Sequence, residues 1–174
     1  LEQARGVKVG LIGTNQNMIG SDVIPTERTT PESFEVQKLF REMADAGCTH
    51  VVMETSSHAL YLDRVYGVRY DVGIFTNLTQ DHLDFHKTME NYCDAKAILF
   101  RNCVTGVVNA DDPWTPRLLK DADCKVMTYA EQADADLRAE NIVLSAGGIA
   151  FDAVSGAERV PIRVNIPGGF MVYN

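Results

Sequence analysis

The chain has 174 residues, 45% of them hydrophobic, enough for one domain with a sizeable core. Its formal charge of −8 argues against attraction to nucleic acid or an anionic membrane surface. No apolar run approaches the roughly 20 residues that cross a bilayer, so no membrane insertion is expected, and no basic-then-apolar leader opens the chain.

Residues 7–14 (VKVGLIGT) form a β-rich run closed by polar residues, the pattern of a strand. A polar, glycine-containing stretch continues to Thr30, where a helix is expected. Thr30 can cap it, Pro31 suits its first position and Glu32 favours its positive end. Phe34, Val36, Leu39, Phe40 and Met43 then keep helical spacing until Gly47. Residues 50–54 (HVVME) and 71–77 (DVGIFTN) read as buried strands running out into polar residues. Between 90 and 102 a second helix turns Tyr92, Ala95, Ile98, Leu99 and Phe100 inward. Residues 105–109 (TGVVN) read as a strand ending in Ala-Asp-Asp-Pro, residues 116–122 as helical and 125–129 as a strand.

Strands alternating with helices predict an α/β portion over residues 1–134, built on a parallel sheet. Such sheets bind ligands at the carboxyl ends of their strands, where Glu54, Asn77, Asp111 and Asp112 fall. From 135 to 166, short runs separated by Gly-rich turns predict a small antiparallel sheet. The cysteines at 48, 93, 103 and 124 form no C-x-x-C pair and read as thiols of a cytoplasmic protein.

Three segments carry candidate chemistry. In Glu54-Thr55-Ser56-Ser57-His58, a carboxylate just past a strand can hold a hard cation, and the serines can either bond a substrate oxygen or cap the next helix. A Ser–His nucleophile lacks the surrounding G-x-S-x-G elbow. In residues 77–86 (NLTQDHLDFH), two histidines and two aspartates within six residues form either a divalent-metal site or a solvated, capped loop. A stand-alone metal hydrolase using His82, Asp84 and His86 is one reading. Lys96, on the following helix, reads by itself as an exposed lysine. Arg28-Thr29-Thr30 lies at an expected helix N-terminus, which is either an anion site or merely a cap.

Taken in order, the motifs G-L-I-G-T, T-T-P-E-S, E-T-S-S-H-A-L, F-T-N-L-T-Q-D-H-L-D-F-H, A-K-A-I-L-F and V-N-A-D-D resemble the central domain of the MurE-type Mur ligases. The similarity runs from about Val7 to the last residue and is weakest between Ala130 and Asn165. It implies a P-loop NTPase-like α/β fold and an ATP-dependent amide ligase of peptidoglycan precursor synthesis. Such a ligase joins a diamino acid, diaminopimelate or L-lysine, to UDP-MurNAc-L-Ala-D-Glu through an acyl phosphate. The resemblance further implies that Glu54 helps bind Mg2+ near the ATP phosphates. His82 and a carbamoylated Lys96 would serve a second Mg2+. Thr29, Thr30, Ser56 and Arg64 would contact the UDP-muropeptide.

Several positions depart from that family pattern. Leu62 stands where a Gln usually precedes the substrate arginine by two residues. Residues 167–174 (PGGFMVYN) resemble the family's P-G-R-F-N-V-Y-N, the start of an adenine-side helix. Gly169 replaces Arg, Met171 replaces an Asn associated with adenine, and Asn174 keeps the second Asn. No G-x-x-x-x-G-K-[ST] phosphate loop occurs in the sequence. The expectation is therefore an incomplete central domain over residues 1–174, with Mur ligase domains missing on both sides and no activity alone. The alternative is a non-catalytic remnant that binds muropeptide or metal.

Overall fold

The run expected as a first strand becomes β1, Val9–Ile12, in a computed structural model that describes all 174 residues. The chain divides into two units, Leu1–Val68 and Arg69–Asn174.

In the first unit, a short helix α1 (Glu2–Arg5) precedes β1, and a hairpin of β2 (Asn17–Ile19) and β3 (Asp22–Ile24) follows it. Helix α2 (Ser33–Asp45) leads to β4 (His50–Met53) and then α3 (Ser57–Tyr61). The sheet order is β3-β2-β1-β4, with β1 and β4 parallel from Val9↔His50 to Ile12↔Met53. Val36, Leu39 and Met43, three and four residues apart, form the buried stripe of α2. Leu39 and Met43 meet Ile12 in the core. Two expectations change here. Thr30 does not cap α2: Glu32 does, in a reciprocal capping box with Glu35. Phe34, one residue inside the first turn, is exposed despite its apolar character.

The second unit runs β5 (Tyr70–Phe75), α4 (Leu83–His86), α5 (Met89–Arg101), β6 (Cys103–Asn109), α6 (Thr115–Leu118) and β7 (Lys125–Ala130). Strands β8 (Leu137–Ser145), β9 (Gly148–Ser155) and β10 (Glu158–Val164) follow, then a single 3-10 turn, Gly169–Val172. Strands β5, β6 and β7 are parallel neighbours, so their carboxyl ends share one edge. Thr88 caps α5 by accepting the Asn91 N–H. Tyr92, Cys93 and Phe100 of α5 pack with Phe75, Leu78, Val108 and Leu118 to form the core.

The antiparallel strands expected beyond residue 134 are present, in one sheet with the parallel strands. β8 continues the parallel sheet through Tyr129↔Leu137 and Ala130↔Arg138, and β9 and β10 then add in antiparallel fashion. The Arg159 guanidinium ties this extension together by donating to Glu140 and Asp152. No helix is long and apolar enough to cross a membrane.

Gly106 sets the spacing between β6 and α5, because a Cβ there would sit 2.6 Å from the Phe100 ring. Phe100 is almost fully buried and cannot swing away. Replacement Gly106→Ala is therefore expected to cost about 1–3 kcal/mol through overpacking, read as a lowered urea midpoint with an unchanged slope.

Candidate functional site

In the first unit, the polar residues singled out in sequence converge at the carboxyl ends of β1 and β4. The Thr30 hydroxyl is buried there and donates to the Glu54 carbonyl at 2.8 Å, while accepting the Ser56 N–H at 3.0 Å. It thereby closes the loop between β4 and α3. Ser56 is the N-cap of α3, accepting the Ala59 N–H at 3.1 Å. The Glu54 carboxylate accepts from both the N–H and the hydroxyl of Thr14, and the Thr14 and Thr29 hydroxyls share a hydrogen bond of 3.0 Å.

Arg64 reaches back to the same place. One of its nitrogens donates to the Thr30 carbonyl at 3.4 Å, and another lies 3.2 Å from a Glu32 carboxylate oxygen. Glu32 also pairs with Arg28. The third nitrogen of Arg64, Nε, is buried without an acceptor for its N–H, an unfavourable state that an anionic oxygen would relieve. Leu62 ends α3 and is exposed. Thr29, Thr30, Glu54, Ser56 and Arg64 thus form one group, with Thr14 as a member that sequence reading passed over. Its signal was present: Thr14 closes the strand that lies beside the one leading to Glu54.

In the second unit, Tyr92 organises the residues. The His82 ring meets the Tyr92 ring edge-on, with centroids 5.8 Å apart, and the Lys96 ammonium lies 5.1 Å from the same centroid. Lys96 follows Tyr92 by one helical turn, so the pair is written into the helix spacing. Far from being an exposed helix lysine, Lys96 is half-buried. Burial lowers its basicity, opposed by the neighbouring Asp81 carboxylate. Burial and Asp81 also push the Tyr92 hydroxyl up. His82 adopts a left-handed backbone (φ 54°) and its carbonyl receives the Phe85 and His86 N–H groups, starting α4. Its ring remains exposed, with Nε2 3.5 Å from Asp81.

His86 behaves differently from its near neighbour. It is buried and stacked on Tyr92 at 5.0 Å. His82 is exposed while His86 is buried under Tyr92, and no group of three or more His, Cys, Asp or Glu side chains is arranged to hold a metal ion.

The strand-end aspartates are committed to backbone groups. Asp112 accepts the N–H groups of Leu78 and Trp114. Asp111 accepts those of Glu131, Gln132 and Ala133, and the Tyr173 hydroxyl. Burial works to raise the Asp111 pKa, but these hydrogen bonds outweigh it and hold the carboxyl below its usual range. Asn174 follows Tyr173 and is exposed.

Parallel strands with carboxylate and hydroxyl groups gathered beyond their carboxyl ends have the plan of an α/β protein whose strand ends are open to ligands. The family model of the Mur ligase middle domain matches residues 1–174. The chain belongs to that family. It is 52% identical over all 174 residues to the UDP-N-acetylmuramoyl-L-alanyl-D-glutamate–2,6-diaminopimelate ligase of Clostridium botulinum, and 50% identical to that of Clostridium tetani. In each case it spans 36% of the relative's length. A solved structure of a ligase of the same name superposes with a TM-score of 0.88 at 28% identity, over 98% of this chain and 36% of the other. MurF from Thermotoga maritima, in complex with ADP, shares the fold at a TM-score of 0.69 and 14% identity, over 99% of this chain and 38% of its own.

The Thr30 hydroxyl holds two otherwise unpaired backbone groups out of water. Thr30→Val is expected to destabilise the first unit by about 1–3 kcal/mol. Thr29→Val, which loses one hydroxyl contact to Thr14, should stay within about 0.5–1.5 kcal/mol. Paired thermal melts check the ranking.

Proposed function

We propose that this chain is the incomplete middle domain of a MurE-type ligase, which joins a diamino acid to UDP-MurNAc-L-Ala-D-Glu in the cytoplasm at the expense of ATP. The observation that carries this reading is 50–52% identity, across essentially the whole chain, to three relatives named as diaminopimelate ligases. Those names favour diaminopimelate over L-lysine as the diamino acid. The chain's 36% share of those relatives leaves the phosphate loop and the diamino acid pocket to other segments of the enzyme.

The donor set suits Mg2+ in chemical kind. Glu54 offers a carboxylate at a strand end, and a carbamoylated Lys96 would offer oxygens beside the His82 imidazole. Glu54 would hold the ion near the ATP phosphates, and His82 with Lys96 a second one. Bound Mg2+ would supply charge neutralisation between the phosphates and the substrate carboxylate.

The chain's own groups do the rest. Arg64, anchored by Thr30 and Glu32, would give its buried Nε–H to an anionic oxygen of the muropeptide. Thr29, Thr30 and Ser56 lie around it, and Thr30 acts mainly by fixing the loop that carries Ser56. Asn174 would meet the adenine. Carbamoylation needs a neutral amine to attack carbon dioxide, giving a carbamate and one proton. The burial that lowers Lys96 basicity supports that step. In the complete ligase, the substrate carboxylate would take the ATP γ-phosphoryl group. The diamino acid amine would then displace phosphate to leave an amide.

Two measurements test this. The isolated chain, lacking a phosphate loop, is expected to release no phosphate from ATP in the presence of muropeptide, whereas the full-length ligase does. Muropeptide-dependent turnover by the isolated chain would overturn the incomplete-domain reading. If the isolated chain instead binds muropeptide in calorimetry while the full-length chain remains inactive, the non-catalytic remnant is favoured. In the full-length ligase equilibrated with 13C-bicarbonate, a carbamate carbon resonance is expected that disappears in Lys96→Arg, with activity lowered at least 100-fold. A wild-type spectrum without that resonance would exclude the modification.

A further inference from the structure

The loops after β6 and β7 and the last residues of the chain converge on one carboxylate. Asp111, two residues past the end of β6, takes the N–H groups of Glu131 (2.7 Å), Gln132 (2.9 Å) and Ala133 (2.7 Å), which follow β7. On its Oδ2 it also takes the Tyr173 hydroxyl at 3.0 Å. Tyr129, near the end of β7, completes the arrangement from the other side. Its hydroxyl reaches the Tyr173 carbonyl at 3.0 Å and the Phe75 carbonyl, at the end of β5, at 3.2 Å. Tyr173 is therefore gripped twice, by its side chain and by its backbone, and both grips come from the carboxyl-end edge of the parallel strands.

The path of the chain into this grip is also fixed. Gly168 has φ 122°, a region closed to most side-chain-bearing residues, and a Cβ there would lie 2.5 Å from the Phe170 ring. Beneath the segment, a cavity of about 40 Å3 is lined by Tyr129, Leu137, Phe151, Val172 and Tyr173. That volume admits a water molecule or so and no larger ligand. The segment is thus packed on the sheet, and Asn174 lies one residue beyond the double grip.

We propose that Tyr173 is a positioning residue for the nucleotide: latched by Asp111 and Tyr129, it sets the place and direction of Asn174 at the ligand edge. The ligand class is a purine nucleotide, and this part rests on the reading of Asn174 as an adenine contact. Both tyrosine hydroxyls are bonded to protein groups, so the latch acts on nucleotide affinity more than on the chemical step.

The test uses the full-length ligase and three variants, with KM for ATP, KM for the muropeptide, kcat and thermal midpoint measured for each. Tyr173→Phe keeps the ring and removes its bond to Asp111. Tyr129→Phe removes the bond to the Tyr173 carbonyl. Each is expected to raise KM for ATP about three- to tenfold, with a smaller change in kcat and in KM for the muropeptide. Asn174→Ala should raise KM for ATP at least as much. If Asn174→Ala weakens ATP and both tyrosine variants leave it unchanged, the latch is wrong while the adenine reading stands. If Asn174→Ala leaves KM for ATP unchanged, the adenine reading fails and the proposal with it. A uniform loss across all kinetic parameters that tracks the thermal midpoint would mark a merely structural role and overturn the proposal. Should one tyrosine variant fail to fold, the other decides.

Discussion

Where a parallel strand stops, its last backbone N–H and C=O groups are turned toward one edge and must find partners there. Much of this chain's polar chemistry follows from that constraint. Thr30 satisfies the Glu54 carbonyl and the Ser56 N–H, and Asn109 satisfies the Thr76 carbonyl and the Asp111 N–H. Thr115 donates to the Asn109 carbonyl, and Asp112 receives Leu78 and Trp114. Short side chains perform each of these tasks, several of them across more than twenty residues of sequence.

Within each unit, the same constraint sorts the polar residues near the strand ends by what they have left to offer. Thr30, Asp111 and Asp112 are tied to backbone groups, and shape the edge more than they meet a ligand. Glu54, although bonded to Thr14, keeps its carboxylate at the surface. The His82 ring is likewise at the surface, and Lys96 stands beside the same aromatic ring. Arg64 is intermediate: two of its nitrogens are placed by protein acceptors, and the third is buried with none.

Much of the fold was legible because apolar runs ending in polar residues mark parallel strands well. β4, β5, β6 and β7 all begin or end within two residues of their expected limits. The hairpin of β2 and β3 went unread because each strand has three residues, too few for a periodic signal. Its turn was nonetheless written in Gly20-Ser21, where Gly20 takes φ 60° between the paired Ile19 and Asp22. The cap of α2 was misplaced because Thr30 has the right chemistry for a cap but a long-range partner 24 residues away claims its hydroxyl. Local propensity cannot register such competition. The continuity of β8 with β7 was hidden for a related reason: a change of texture at residue 135 marks a change of strand direction further on, not a break in the sheet. Lys96 illustrates the limit for the site. Its type and spacing are plain in the sequence, but its half-burial beside the Tyr92 ring is not.

That environment bears on the state of Lys96 in the proposed reading. An ammonium beside Tyr92 gains about 0.5–2 kcal/mol from the ring face, and Asp81 also favours the cation. Burial acts against the carboxylate and outweighs it, lowering the basicity of the amine. The neutral amine is therefore easier to reach here than on an exposed helix face. A carbamate formed from it would carry a negative charge into the same half-buried place, within the field of Asp81. Neither the ring face nor the carboxylate favours an anion there. The modified lysine would thus be stable only with a cation beside it, and a cation would find too few oxygens among these side chains without the modification. Each would depend on the other, so the second site would be occupied and modified together or not at all.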